Sequence, residues 1–430
     1  MNYLSTRGAA PPLGLGAALE AGLATDGGLY VPERVPRLRE EDFDGCATLA
    51  TVAARLLRPF FAGDALAAEL DAICAEALDP PAPLRAIAAH TWLLELFHGP
   101  TAAFKDFGAR FLAASLARRR GADAAPLTVL VATSGDTGAA VAAAFHRRRG
   151  FRVVILYPDG RVSPRQAHQL GCFGDNVHAL RVAGSFDDCQ ALVKRALADA
   201  DLKAALPLTS ANSISLGRLL PQMSYYALAA LAHRRAQGTK LDIAIPTGNL
   251  GNALACILAR AIGLPIGEIA LATNANRVLP DFFAGGEYAP RASVSTLANA
   301  MDVGAPSNFE RLRWLYPDEA ALRGAFRSEA VDDEEIREVI RRSRERYGTL
   351  VCPHTATALR LLERLRARGD SRDWAVAATA HPAKFDEVIE PLIGAEVEVP
   401  PALAALLRRP SRSEPLAADY AALRERLMAI

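Results

Sequence analysis

Neither sign of charge prevails in this sequence: Lys and Arg total 49 against 48 Asp and Glu, a formal net charge of +1. That balance leaves no electrostatic footprint for nucleic acid, so none is expected as a partner. Cysteine is sparse, and Cys46, Cys74, Cys172, Cys189, Cys256 and Cys352 each stand alone. With no CxxC pair and no disulfide-like density, no metal site is indicated, and reduced thiols in the cytoplasm are the simple reading. No uncharged apolar stretch is long enough to span a bilayer, and prolines and Glu20 interrupt the opening residues before a signal h-region can form. Internal repeats and low-complexity tracts are missing as well. What remains is a 430-residue chain, 51% hydrophobic and 23% charged, enough for two or three structural units with ample cores. Small molecules are the expected partners, and monomer and homodimer are both compatible with this composition.

The pattern is mostly helical up to about residue 82, with a turn signal at 26–28 and a proline cluster at 79–83 that marks a first boundary. Beyond it, short apolar runs alternate with amphipathic stretches: TVLVAT (128–133), VVILYP (153–158), LDIAIP (241–246), IALAT (269–273) and WAVAAT (374–379). Continuous rather than alternating runs suit strands covered on both faces, as in a parallel sheet wound with helices, so an α/β architecture is expected. The basic runs 118–120 and 147–149 fall at expected helix C-terminal ends and read as solvated cations that complement the macrodipole.

In open α/β sheets ligands collect beyond the carboxyl ends of strands. After LDIAIP comes TGNLGN, where Gly248 and Gly251 free the backbone to turn its N–H groups inward ahead of a helix, a cradle for an anion or merely a tight turn. After TVLVAT comes SGDTG; Ser134 or Asp136 is expected to cap the next helix, and the alternative is that Ser134 and Thr137 grip a carboxylate. Lys105 lies in HGPTAAFKDFGARF. If that segment is helical from residue 101, Lys105 shares a stripe with Ala109, Leu112 and Leu116, while Phe104, Phe107 and Phe111 crowd the other phase. A lysine so surrounded is partly desolvated, which favours the neutral amine that attacks an aldehyde. After WAVAAT comes AHPAKF: Thr379 sits at a strand's carboxyl end, His381 reads as packing rather than phosphate binding, and Lys384 reads as solvated. An amine for a carbonyl and a nest for a phosphate together suggest pyridoxal 5'-phosphate.

The strings FHGPTAAFKDFG, ATSGDTGAAVA, DDCQALVK, SANSISLGRLL, IPTGNLGNALA, NAMDVGAPSN and ATAHPAKF occur in order and resemble the threonine synthase family of fold-type II pyridoxal-phosphate enzymes. The opening TR and GLATDGGLYVP resemble that family's N-terminal region, so the likeness covers nearly the whole chain. It implies two doubly wound open-sheet domains with the cofactor in the cleft between them. The implied division is an N-terminal region at 1–82, a large domain at 83–112 and 209–400, a small domain at 113–208, and a C-terminal helical tail at 401–430. It further implies that Lys105 carries the cofactor as a Schiff base, that Gly248, Asn249, Leu250, Gly251 and Asn252 hold its phosphate, that Thr379 bonds the pyridine nitrogen, and that Asp136 faces the 3'-oxygen. Two positions depart from the pattern: Asn252 is often acidic in bacterial relatives, and Ser215 stands where SANSIN-type motifs carry asparagine.

The implied reaction turns O-phospho-L-homoserine and water into L-threonine and phosphate. A substrate phosphate needs donors of its own, for which Asn212, Ser213, Arg218 and Arg165 are candidates, since guanidinium groups bind phosphate in a bidentate fork. The rival readings are a hydroxy-amino-acid dehydratase or phospholyase using the same cofactor, and a non-catalytic binding protein on the same fold.

Overall fold

A computed structural model describes residues 1–121 and 124–430. Thirteen strands are found among them: β1 (Tyr3–Ser5), β2 (Tyr30–Pro32), β3 (Leu84–Ala88), β4 (Thr91–Glu95), β5 (Leu127–Ala132), β6 (Phe151–Pro158), β7 (Val177–Val182), β8 (Leu208–Ser210), β9 (Leu241–Pro246), β10 (Ile266–Thr273), β11 (Arg327–Ala330), β12 (Trp374–Ala378) and β13 (Glu414–Leu416). They form a β1–β2 pair, a six-stranded sheet in the order β11-β10-β9-β12-β4-β3, and a five-stranded sheet in the order β13-β7-β6-β5-β8. Every pairing in the two larger sheets is parallel except β3 with β4.

All five apolar runs noted in the sequence are strands, and β5, β9 and β12 are buried at every residue. Side chains alternate across a strand, so each serves two cores. Ile243 and Ile245 of β9 join the core shared with the N-terminal region, while Ala244 faces a second core beneath helix Pro353–Ala367. In the smaller sheet Val129 and Val131 of β5 join the shared core, and Leu130 and Ala132 face a third.

Helix Lys105–Arg119 runs through the shared core, packed on helices Leu70–Ala77, Asp136–Phe145 and Leu216–Leu219. Gly108 permits the last contact, because a Cβ there would stand 2.8 Å from the Arg218 carbonyl oxygen. The N-terminal region is mainly helical, as expected, but β1 and β2 add an antiparallel ladder. The C-terminal tail is not wholly helical: β13 extends the small sheet beside β7. Helix Lys105–Arg119 continues across residue 112 and β8 across residue 208, so both elements cross the domain limits suggested by the sequence.

The arginines at 118–120 do end their helix, yet they are not simply solvated. Arg118 pairs with Glu69 and Glu76, and Arg119 and Arg120 both pair with Glu20, fastening the helix to the N-terminal region. In the second run, Arg148 reaches the same Glu76 and Arg147 pairs with Asp175. No helix of the described residues is long and apolar enough to cross a membrane, and no group of three or more metal-ligating side chains is found among them.

Candidate active site

Four segments that follow the carboxyl ends of β4, β5, β9 and β12 meet at one cleft. The adjacency of β4 and β12 brings Lys105 to Thr379: Phe104 N–H donates to the Thr379 carbonyl at 2.8 Å, and His381 N–H to the Ala102 carbonyl at 3.0 Å. Ala102 holds a left-handed φ of 55° at that crossing. Such a conformation is costly for a residue with a Cβ and persists where its surroundings dictate it. Buried Asp106 braces the loop, its carboxylate accepting from Thr101 N–H at 2.8 Å and the Thr101 hydroxyl at 2.7 Å. The helix begins at Lys105 itself, one turn later than the sequence suggested, with Ala109, Leu112 and Leu116 fully buried as expected.

Lys105 opens into two adjoining compartments of the cleft, about 810 and 670 Å³ when the solvent space at their mouths is included. Burial pushes its amine down to about 8, with the positive charges of Arg218 and Lys384 acting the same way and Asp136 opposing them. Near neutrality a much larger share of this amine is uncharged than in a solvated lysine.

The smaller compartment is lined by Gly248, Asn249, Leu250, Gly251, Asn252, Asp136, Arg218, His354 and Thr379. Leu250 takes a left-handed φ of 62° and caps helix Gly251–Ile262, whose positive end faces the loop. Asn252 accepts at Oδ1 from the hydroxyls of Tyr225 (2.7 Å) and Tyr226 (2.8 Å). Its Nδ2 and the Nε of Arg218 are buried with no partner among the described residues, two donors left for something else. Paired with a helix N-terminus, they fit the phosphate of the cofactor that the sequence suggested. The Asn249 amide is engaged differently, donating to the Ser213 hydroxyl at 2.7 Å.

The larger compartment is lined by Ser134, Thr137, Asn212, Ser213 and Lys194, together with Lys105. Neither Ser134 nor Asp136 caps helix Asp136–Phe145. Thr133 does so, its hydroxyl accepting from the N–H groups of Gly135 (2.9 Å) and Gly138 (3.0 Å), which leaves Ser134 and Thr137 facing the cleft.

Two further expectations are overturned. Arg165 does not line either compartment: its guanidinium donates to the Ala383 carbonyl at 2.6 Å and pairs with Asp386 at 3.0 Å, so it holds two segments together. Lys384 is not solvated but fully buried, its ammonium 3.0 Å from Asp136 Oδ1. His381 packs, as expected: it caps the turn Pro382–Phe385 and lies edge-on to Phe97. Ser215 is buried at the start of helix Leu216–Leu219 and lines neither compartment.

Sequence reasoning passed over His354, Gln166 and Lys194. Lys194 sits in a string already singled out, DDCQALVK, and Gln166 directly follows the candidate Arg165. His354 Nε2 accepts from Ala300 N–H at 3.1 Å, so a neutral ring is needed, and burial holds the imidazole down to about 4. The unfolded chain takes up this proton near 6.5 and the folded one only near 4, so stability is full above the first value and falls as the pH drops toward the second. The slope should approach ~1.4 kcal/mol per pH unit for this histidine. Urea unfolding at neutral pH and at about pH 5 should show a smaller loss in His354→Gln; an unchanged loss would exclude the histidine as its source.

Comparison with known proteins covers the chain from end to end. Family models described as "Threonine synthase N terminus", "Pyridoxal-phosphate dependent enzyme" and "Threonine synthase, C-terminal" match residues 2–78, 78–382 and 355–426. Threonine synthase of Serratia marcescens is 40% identical over 415 residues, 96% of each chain, and that of Escherichia coli K12 is 40% identical over 414 residues, covering 96% of this chain and 95% of the other. The crystal structure of the Escherichia coli enzyme superposes with a TM-score of 0.93 at 37% identity over the whole of both chains. A PLP-bound threonine synthase from Brucella melitensis gives 0.89 at 35% identity, covering 100% of this chain and 99% of that one. These matches favour neither the dehydratase nor the non-catalytic reading. The chain belongs to the threonine synthase family of pyridoxal-phosphate-dependent lyases.

Proposed function

We propose that this enzyme converts O-phospho-L-homoserine and water to L-threonine and phosphate, with Lys105 as the residue that holds pyridoxal 5'-phosphate. The supporting observation is the position of one desolvated amine at the junction of two compartments, one bearing unpaired anion donors and the other hydroxyls, amides and a lysine. Residues 248–252 and Arg218 would hold the cofactor's phosphate, Thr379 the pyridine nitrogen, and Asp136 the ring's 3'-oxygen side. The cofactor supplies an electron sink for the carbanion formed when the substrate's α-proton leaves.

The remaining work falls to side chains. Ser134 and Thr137, beside the positive end of helix Asp136–Phe145, would bind the substrate carboxylate. Asn212 and Ser213, two of the four candidates from the sequence, face the same compartment with Lys194 and would bind the leaving phosphate, whereas Arg218 lines the glycine-loop compartment and Arg165 neither. Lys105 Nζ would take protons from the α- and β-carbons and return them at the γ- and α-carbons, while water supplies the hydroxyl at the β-carbon, a role that suits an amine lowered to about 8. A cytoplasmic location fits six buried, unpaired cysteines.

Incubation with O-phospho-L-homoserine should release phosphate and threonine in equal amounts with no ammonia. Equal release of phosphate and ammonia, with a keto acid, would identify a phospholyase instead.

A further inference from the structure

Lys384, which sequence reasoning leaves in solvent, is fully buried beside the site. Its ammonium makes two contacts, to Asp136 Oδ1 at 3.0 Å and to the Thr101 carbonyl at 2.7 Å. The first partner starts the helix after β5 in the small sheet; the second lies in the loop that delivers Lys105 from the large sheet. Asp136 is further fixed by Gln166 Nε2 at 3.0 Å, and Gln166 by Asn299 Nδ2 at 3.0 Å. A buried ion pair is costly to desolvate, so its presence is weak evidence of a stabilising role. This one stands where Asp136 and Lys105 line the same compartment.

Groups facing Lys105 come from four elements: Asp136 from helix Asp136–Phe145, Arg218 from helix Leu216–Leu219, His354 from helix Pro353–Ala367, and Lys384 from the turn Pro382–Phe385. Asp106, on Lys105's own helix, is buried and bound by Thr101, and lies within the field of Lys384 and Arg218. His354 is neutral. The carboxylate of Asp136 and the ammonium of Lys384 act on Lys105 with opposite sign.

We propose that Lys384 is a positioning residue for the reaction: it fixes the Asp136 carboxylate at the wall of the cleft and cancels its field, so the nitrogen at Lys105 is not locked in its protonated state. Without Lys384, an uncompensated carboxylate beside Lys105 would hold a proton there and impede the transfers that the reaction needs. The inference rests on the reading that Lys105 carries the cofactor.

The test is a pH titration of the cofactor's visible absorbance in the wild type, Lys384→Met, and the double variant Asp136→Asn/Lys384→Met. Removing the positive charge should move the midpoint of Lys384→Met upward by about one pH unit or more, and removing both charges should bring it back close to wild type. Lys384→Gln, which keeps a donor for the Thr101 carbonyl, carries the same expectation if Lys384→Met does not fold. A merely structural lysine would lower thermal stability and leave the midpoint in place, and that outcome, or a double variant displaced as far as the single one, overturns the proposal.

The pH profile of Lys105 acylation by acetic anhydride in the apoproteins, read by mass spectrometry, should show the same order of shifts. This arm separates two failures. A wild type that never acquires borohydride-sensitive colour refutes the cofactor reading, whereas apoprotein profiles that coincide across the variants refute the role of Lys384.

Discussion

Lys105→Ala is expected to abolish threonine formation, by on the order of 10⁴-fold or more, because it removes both the covalent anchor and the proton carrier. Nothing else near the cleft can substitute. Lys384 is held by Asp136 and the Thr101 carbonyl, and Lys194 lines only the larger compartment. The fold should not suffer. Lys105 is the first residue of its helix, a place where alanine is well tolerated, and the amine it loses is one that burial already disfavours. An unchanged thermal midpoint with activity at background is the predicted pair of results. Retained turnover above a hundredth of wild type would mean that another group carries the chemistry.

The second large effect concerns the glycine loop, where the two glycines that look equivalent in TGNLGN differ in three dimensions. A Cβ on Gly248 would stand 2.8 Å from Met301 Cα, in the backbone of the 3-10 turn Asn299–Met301, which cannot rotate away. Gly248→Ala must therefore push the loop off that turn, at a cost of about 1–3 kcal/mol to the apoprotein. It should also weaken cofactor binding about tenfold to a hundredfold as the cradle distorts. Gly251 is different: the nearest atom to its Cβ is Asn308 Nδ2 at 3.5 Å, an ordinary contact, and it starts a helix. Gly251→Ala should leave apoprotein stability within about 0.5 kcal/mol, so any loss of cofactor affinity there reports the ligand's own approach to the backbone. Chemical denaturation of both apoproteins checks the contrast, and equal destabilisation would contradict it.

Much of the architecture is legible from local pattern because a strand covered on both faces must be largely apolar, as β12 is at every position and β9 is everywhere but Asp242. Where polar residues interrupt the run the signal fades. In β7 half-buried His178 and Arg181 break up the apolar residues and hide the strand, and β13 is only three residues long, defined by its pairing with β7 rather than by its composition. In the site, the residues found from sequence are those whose role depends on their own segment: an amine on a crowded helix, a glycine turn before a helix, a hydroxyl at a strand end. Lys384 and Arg165 were misread because their surroundings come from distant parts of the chain. Asp136 converts the first into a buried partner, and Asp386 with the Ala383 carbonyl takes the second out of the cleft. Thr133 likewise displaced Ser134 and Asp136 as the cap, a choice among adjacent polar side chains that spacing does not resolve.

The most direct measurement is borohydride reduction of the purified, cofactor-loaded protein followed by peptide mapping. A pyridoxyl group on Lys105, with loss of the visible absorbance, is the predicted result. A pyridoxyl group on Lys384, Lys194 or a surface lysine, with Lys105 unmodified, would contradict the assignment of the amine at the junction of the two compartments.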